Sequence, residues 1–478
     1  AYLIDPAQSR YSLVDLVERY SSARFPQDDP ASTGQLDLGG TAIDESQRAG
    51  RDCLAIAHVA QTLTAALQTH GMLTLYQEME NPLVRVLARM EHLGIAVDVV
   101  QLKSIAARLT AEVGELSLAL QAVVGHPFNT NSPAQLGKIL FEERGLTPPR
   151  KTKTGYSTDV ATLEKLRDSW PEFIDPLMRY REVEKLRGTY GEGLLSEVAA
   201  DGRIHATFNQ TVTRTGRLSS DQPNLHNIPV RTEEGRIFRT AFVPSAGWRL
   251  MVADYNQIEL RCIAHLAQDP GLIAAFTTGQ DVHSATAARV FGVEESAVTH
   301  EQRSKAKMVS YGLAYGMEAF GLGQRLGIRT DEAATILDAY FAAFPNVQSY
   351  MDDTVAQAKS RGYTETLFGR RRRIPELDSS NFRIRQAGER QAMNAAIQGL
   401  AADIFKIALI RIDQALSDSA LASRLVLQVH DEVLVESPLN EVEVVDALVL
   451  QIMEQATKLD VPLAVNSAWG STWAEAKS

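Results

Sequence analysis

Cysteine is almost missing from this sequence of 478 residues: only Cys53 and Cys262 occur. Two thiols give no disulfide framework, so both are expected to be buried, reduced packing residues. Long apolar runs are missing as well. None approaches the roughly 20 residues of a membrane span, and the amino terminus lacks the basic-then-apolar order of a secretory signal. A cytoplasmic protein with no membrane partner is therefore expected. Low-complexity tracts and internal repeats are also lacking, and the composition is that of a globular chain, 45% hydrophobic and 22% charged. Excess positive charge is missing too, the net charge being −11. That balance neither supports nor excludes a polyanionic partner, because binding follows where cations are concentrated more than their sum. Cations do concentrate: Arg150, Lys151 and Lys153 in one loop, Arg370 to Arg373 in a run, and Arg303, Lys305 and Lys307 together. For the first two clusters a solvated surface is the expected state.

At roughly 150 residues per domain, the length suggests about three domains. The first eighty residues read as helical pieces around a polar stretch, Gln27 to Gly40. From Asn81 to Leu195 apolar residues recur at helical spacing, through Leu83, Val86, Leu87 and Met90 and again from Leu102 to Leu120. Asn131 or Ser132 is placed to cap a helix with Pro133 in its first turn. These features describe an elongated helical arm with a basic tip. After Gly202 the pattern changes: Arg203 to Thr213 alternates like a strand, and Trp248 to Asp254 is an apolar strand ending on a carboxylate. Arg424 to Glu436 reads as two strands meeting in a hairpin at His430-Asp431-Glu432. A mostly helical stretch, from Asp269 to Leu416, lies between. Strands from two distant parts of the chain would thus meet in one sheet, an α+β arrangement.

Three segments carry chemistry. Asp254 ends a strand beside a helix start, and Asp431-Glu432 sits at a tight turn. If their strands are neighbours, Asp254 and Asp431 converge where two Mg²⁺ ions would serve a phosphoryl transfer; each motif alone would more often be a turn aspartate. Arg303, Lys307, Tyr311 and Tyr315 recur every four residues and form one helical stripe. Its cations suit a triphosphate and its rings a base and sugar, although a helix with a basic exposed end and a buried aromatic end would share the pattern. Gly312 and Gly316, each beside a ring, favour the first reading, because they weaken the helix where a base pair must approach the backbone. The third segment, Thr213 to Pro229, is rich in donors and turn formers and poor in core residues, which suits a surface along a phosphate backbone and minor groove.

Arg214 to Pro229, Asp254 to Arg261, Arg303 to Gly316, Arg390 to Asp403 and Gln428 to Glu432 stand in the order and spacing of family A DNA polymerases. Over essentially its whole length the chain resembles the large, Klenow-like fragment of bacterial polymerase I. The resemblance implies a right-hand polymerase fold with an antiparallel palm sheet and helical fingers and thumb. Residues 1–80 would be part of an exonuclease-like domain, 81–200 the thumb, 201–268 and 400–478 the palm, and 269–399 the fingers. It implies a monomeric DNA polymerase acting on primer-template DNA and deoxynucleoside triphosphates in repair and replication gap filling. Asp254 and Asp431, with the carbonyl of Tyr255, would bind both Mg²⁺ ions, with Glu432 close by. Arg303, Lys307 and His283 would hold the triphosphate, with Gln257 also assigned to the nucleotide. Tyr311 would face the sugar, and Glu259 would fill the space a ribose 2′-hydroxyl needs. Arg217, Asn224, Asn227, Arg390, Asn394, Gln398 and His430 would contact DNA, and Tyr315 with Gly316 would sit at the nascent base pair. Glu259 argues against the rival single-subunit RNA polymerase. Retention of Asp254, Asp431 and Lys307 argues against an inactive DNA-binding remnant.

Three departures from the family pattern matter. Many relatives have phenylalanine where Tyr311 stands. Its hydroxyl would replace a missing nucleotide 3′-hydroxyl, so weak discrimination against dideoxynucleotides is expected, and Tyr311→Phe should restore discrimination. Around Arg48 to Gln61 the tyrosine–aspartate pair of the third exonuclease motif is not found, although Asp52 is near, so no Mg²⁺-dependent removal of a 3′ mismatch is expected. Finally, the family usually ends in tryptophan-x-x-alanine-histidine, whereas Trp473 and Ala476 are followed here by Lys477. Any contact made by a terminal histidine is thereby put in question.

Overall fold

The apolar run Trp248–Tyr255 forms a strand whose residues Leu250 to Ala253 are all buried, as a short continuous apolar run predicts. In the computed structural model, which describes residues 1–8, 10–22, 45–149, 151–152, 155–229, 233–314 and 316–477, this strand sits inside a four-stranded antiparallel sheet. The sheet order is Arg424–Val429, Glu432–Pro438, Trp248–Tyr255, Val465–Gly470. Arg424–Val429 and Glu432–Pro438 form the expected hairpin, closed by the two-residue turn His430-Asp431, where His430 adopts a left-handed φ of 57°. Helix Val442–Glu454 packs on the sheet and buries Val445, Val449 and Met453, a stripe at four-residue spacing.

Helix Phe382–Asp418 has 37 residues, hence a length of roughly 55 Å at 1.5 Å per residue. Asn381 caps it by accepting a hydrogen bond from the Arg383 N–H at 3.0 Å. Its small residues let neighbours come close: a Cβ added at Gly399 would lie 2.7 Å from Thr366 Cγ2. This helix packs against helix Ile258–Ala267, which follows directly on the Asp254 strand, and both feed the main core.

The helical arm begins with Asn81–Leu93, in which Leu83, Val86, Leu87 and Met90 are buried as their spacing requires. Helix Val99–Val124 starts at Asp98, whose side chain accepts from the Gln101 N–H at 2.9 Å, and it packs along Pro171–Leu186. The far end of the arm has its own core, including Leu136, Leu140, Leu163 and Phe173, with Trp170 stacked on Phe173 at 4.4 Å. Ser132 is the cap before Pro133. Among the described residues no helix is long and apolar enough to cross a membrane.

Several expectations need correction. Cys262 is buried but Cys53 is exposed, on the outer side of a helix whose buried residues are Val59 and Leu67. Arg203 to Thr213 is not one strand. Arg203–Ile204 and Thr207–Asn209 are short pieces in separate two-stranded sheets. The run Arg370 to Arg373 is not a solvated surface either. Arg370 is only 5% exposed and pairs with Glu80 and, at 2.7 Å, with Asp403, while Arg371 lies over the Tyr363 ring and Arg372 donates to Gln391. A buried guanidinium needs such partners to offset its lost hydration. The polar stretch Gln27 to Gly40, Tyr315, and Arg150 and Lys153 of the basic loop lie outside the described residues.

Candidate active site

Antiparallel register brings the two acidic motifs together. Glu432 lies directly opposite Asp254 across adjacent strands, and the Tyr255 N–H donates to the Asp431 carbonyl at 3.2 Å. Asp254 and Asp431 face one cavity of about 630 Å³. Burial and the charge of Asp254 push the Asp431 carboxyl up to about 7. Burial also raises Asp254, although a cation stands beside it. That cation is Lys477, whose Nζ lies 2.6 Å from Asp254 Oδ2 and 2.5 Å from Glu432 Oε2. The other Glu432 oxygen accepts from Trp473 Nε1 at 2.7 Å, and the buried Arg239 guanidinium lies 4.1 Å over the Trp473 ring.

The same cavity is also lined by cationic residues carried on helices. Arg303 and Lys307 project from helix His300–Ala314, and His283 projects from helix Val282–Phe291. Arg303 forms a fork with Asp281, the cap of the latter helix, at 2.6 and 3.3 Å. Burial works against ionising Asp281, but hydrogen bonds from Arg303 and Ser284 hold its carboxyl down at about 2. The His283 ring is 2% exposed, and both of its nitrogens are buried with no hydrogen-bond partner among the described residues. Burial holds it down at about 4, so it is neutral at pH 7, and its ring centre lies 5.7 Å from that of Tyr311. Gln257, at a left-handed φ of 56°, and Glu259, which is ion-paired with Arg217, line the cavity as well.

The remaining expected residues gather around this cavity less uniformly. His430 lines it, and its ring centre is 5.5 Å from that of His226, which in turn contacts Gln428 at 3.0 Å. A Cβ on Gly316, whose φ is +63°, would lie 3.1 Å from Arg390 Cβ, so only glycine suits this approach. Arg390 pairs with Glu318 at 2.9 Å. Asn224, just before a short 3₁₀ turn, and Asn227, the last residue of that turn, are exposed and do not line the cavity. Asn394 and Gln398 are half-buried on helix Phe382–Asp418, the Asn394 Oδ1 without a partner among the described residues.

A family model described as DNA polymerase family A matches residues 99–475. The chain belongs to DNA polymerase family A. It is 47% identical to DNA polymerase I of Mycobacterium tuberculosis (strain ATCC 25618 / H37Rv), over 99% of this chain and 53% of that protein. To DNA polymerase I of Bacillus subtilis (strain 168) it is 45% identical, over 100% of this chain and 54% of that protein. The chain thus spans about half the length of these curated relatives. Among solved structures it is similar to the POL domain of Pol1 from M. smegmatis in complex with DNA primer-template and dNTP. That match has a TM-score of 0.92 and 44% identity and covers 100% of this chain and 81% of the other. The α+β polymerase fold expected from the sequence is therefore this chain's fold.

Family A polymerases use divalent metal ions, and the donor set fits such an ion. Burial raises both carboxyls, the Asp254 charge adds to the rise at Asp431 and the Glu432 charge to that at Asp254, and a lysine ammonium already lies against Asp254. Among the described residues no group of three His, Cys, Asp or Glu could hold a metal unaided. A small hard cation typically takes one or two carboxylates and completes its shell with water and substrate phosphate. Sequence reasoning missed Asp281, Arg239 and the contact made by Lys477. Asp281 had a signal, since it stands two residues before His283 at a helix start; the reach of Lys477 had none.

Proposed function

We propose that this family A chain is a template-directed DNA polymerase that adds deoxynucleotides to a primer 3′-hydroxyl. The observation that carries this reading is one cavity lined both by Asp254 and Asp431, from the sheet, and by Arg303, Lys307 and His283, from two helices. That combination of charge suits a triphosphate whose α-phosphate meets the carboxylates and whose tail meets the cations. The likeness to a polymerase domain in complex with primer-template and dNTP supports it.

In this reading residues 81–200 are the thumb, 201–268 with 400–478 the palm, and 269–399 the fingers, while 1–80 are the exonuclease-like part. Asp254, Asp431 and the Tyr255 carbonyl would hold two Mg²⁺ ions, which when bound would supply activation of the primer hydroxyl and charge stabilisation of the leaving oxygen. Arg303 exchanges Asp281 for phosphate oxygens. Lys307 adds a second cation there, and His283 offers a buried ring nitrogen that has no partner among the described residues. Tyr311 faces the sugar beside Gln257, and Glu259, held by Arg217, blocks a 2′-hydroxyl. Asn224, Asn227, Arg390, Asn394, Gln398 and His430 line the path of the duplex, with Gly316 at the nascent pair. The setting is the bacterial cytoplasm, where primer-template DNA is the partner.

Primer extension on a recessed template with Mg²⁺, comparing the unmutated chain with Asp254→Ala, tests this. Template-dependent addition that vanishes in the variant is the expected result. DNA binding without extension by the unmutated chain would show an inactive remnant and overturn the reading.

A further inference from the structure

Among the described residues Lys477 is a cation seated directly against the acidic corner. Its ammonium bridges Asp254 at 2.6 Å and Glu432 at 2.5 Å. The contact is built. The Lys477 backbone follows helix Trp473–Ala476, which Thr472 caps, and Trp473 is fully buried. The Trp473 N–H donates to the Phe242 carbonyl at 2.9 Å, and its indole N–H donates to Glu432. A Cβ on Gly470 would lie 2.6 Å from the Ala476 nitrogen, so the turn into this helix is tight. The lysine stem therefore starts from a fixed point.

The side of approach matters. Lys477 does not line the cavity shared by Asp254, Asp431 and Lys307. It lines a separate hollow of about 570 Å³ with Arg239, Arg236 and Glu233. One Asp254 oxygen is thus held from behind while the residue still faces the cavity. Three carboxylates, Asp254, Asp431 and Glu432, are offset by two resident cations, Lys477 and the buried Arg239.

We infer that Lys477 is a resident counter-cation that shares Asp254 with the reaction's metal ion, and so sets the metal affinity of the site and the orientation of Asp254. The inference rests on the metal-site reading given above. Removing the ammonium leaves the corner more negative, so divalent cations should bind more tightly, whereas general damage to the corner would weaken binding. The sign of the change separates the two.

The test is Mn²⁺ binding to the metal-free full chain, followed by electron paramagnetic resonance without DNA or nucleotide. The unmutated chain, Lys477→Met and Lys477→Arg are compared, with Asp254→Ala as the reference for loss of the site. Expected are a roughly tenfold lower half-saturating Mn²⁺ concentration for Lys477→Met, from loss of one nearby unit charge in a half-buried site, and little change for Lys477→Arg. In primer extension the Mg²⁺ needed for half-maximal rate should fall in parallel. Unchanged or weaker Mn²⁺ binding in Lys477→Met overturns the inference, as does equal tightening in Lys477→Arg. Loss of Asp254-dependent Mn²⁺ binding in every chain, the unmutated one included, would instead overturn the metal-site reading beneath it.

Discussion

The two ends of the cavity carry opposite charge on opposite kinds of support. Asp254 and Asp431 stand at the ends of hydrogen-bonded strands, where register fixes their separation. Arg303, Lys307 and His283 stand on two helices, where one side chain can swing without disturbing a ladder. Each end also carries an ion of the other sign: Lys477 against Asp254, and Asp281 against Arg303. The acidic end therefore rests on a rigid support and the basic end on a more adjustable one. In the proposed reaction bonds would be made and broken at the first, and a charged tail gripped and released at the second.

Losing the fixed end should do the most harm. Asp254→Asn is expected to lower kcat/KM for nucleotide addition by about 10³-fold or more, with primer-template affinity unchanged, because no other group occupies that register position. Lys307→Ala should cost less, about 10²-fold, and mainly through weaker nucleotide binding. Single-turnover kinetics across a nucleotide titration separates the two. Equal losses in the same kinetic parameter would erase the distinction between the ends.

That distinction was partly legible in the sequence. The strand ending on Asp254, the hairpin at Asp431 and the stripe of Arg303, Lys307 and Tyr311 follow from periodicity and spacing, which are local properties. Partners that depend on tertiary burial were not. The run Arg370 to Arg373 is polar in composition, so a solvated face was the natural expectation. Instead Arg370 enters a buried network with Glu80, Asp403 and Lys406, brought together from three distant segments. Burial favours protonating Glu80, yet Lys406 and Arg370 hold its carboxyl down at about 2. Lys477 shows the same limit at the site. The sequence places a lysine directly after Ala476, but only the fold of that short helix shows that it reaches Asp254 and Glu432.

A smaller effect probes the exchangeable end. The Arg303–Asp281 pair is more than a third exposed on both sides, and such pairs contribute about 0.2–1 kcal/mol. Asp281→Asn should therefore free Arg303 and tighten nucleotide binding by at most about fivefold. Stopped-flow nucleotide titration checks this. Weaker binding would mean that Asp281 aims the guanidinium, and that the basic end is as fixed as the acidic one.

The smallest effect is a difference in how the two ends respond to pH. Burial and the neighbouring Asp254 charge raise the Asp431 carboxyl from 3.8 to about 7. Between those values the folded chain keeps a proton that the unfolded chain has lost, so this group's contribution to stability falls as pH rises through that window. Above about pH 7 the ionised, crowded Asp431 opposes folding of the metal-free protein. Asp431→Asn should then melt higher than the unmutated metal-free chain at pH 8, by roughly a few degrees, with the gain shrinking toward pH 5. Asp281 has the opposite sign. Its carboxyl is held at about 2, so its stabilisation is fully present above its ordinary 3.8 and is lost only as pH falls toward 2. Across pH 5 to 8 the melting difference made by Asp281→Asn should therefore stay flat. Calorimetry of both variants at several pH values gives the comparison directly. An equally flat difference for Asp431→Asn would mean that the Asp431 carboxyl is neither buried nor crowded by Asp254 in the metal-free protein, and that the acidic end is looser than its strand register implies.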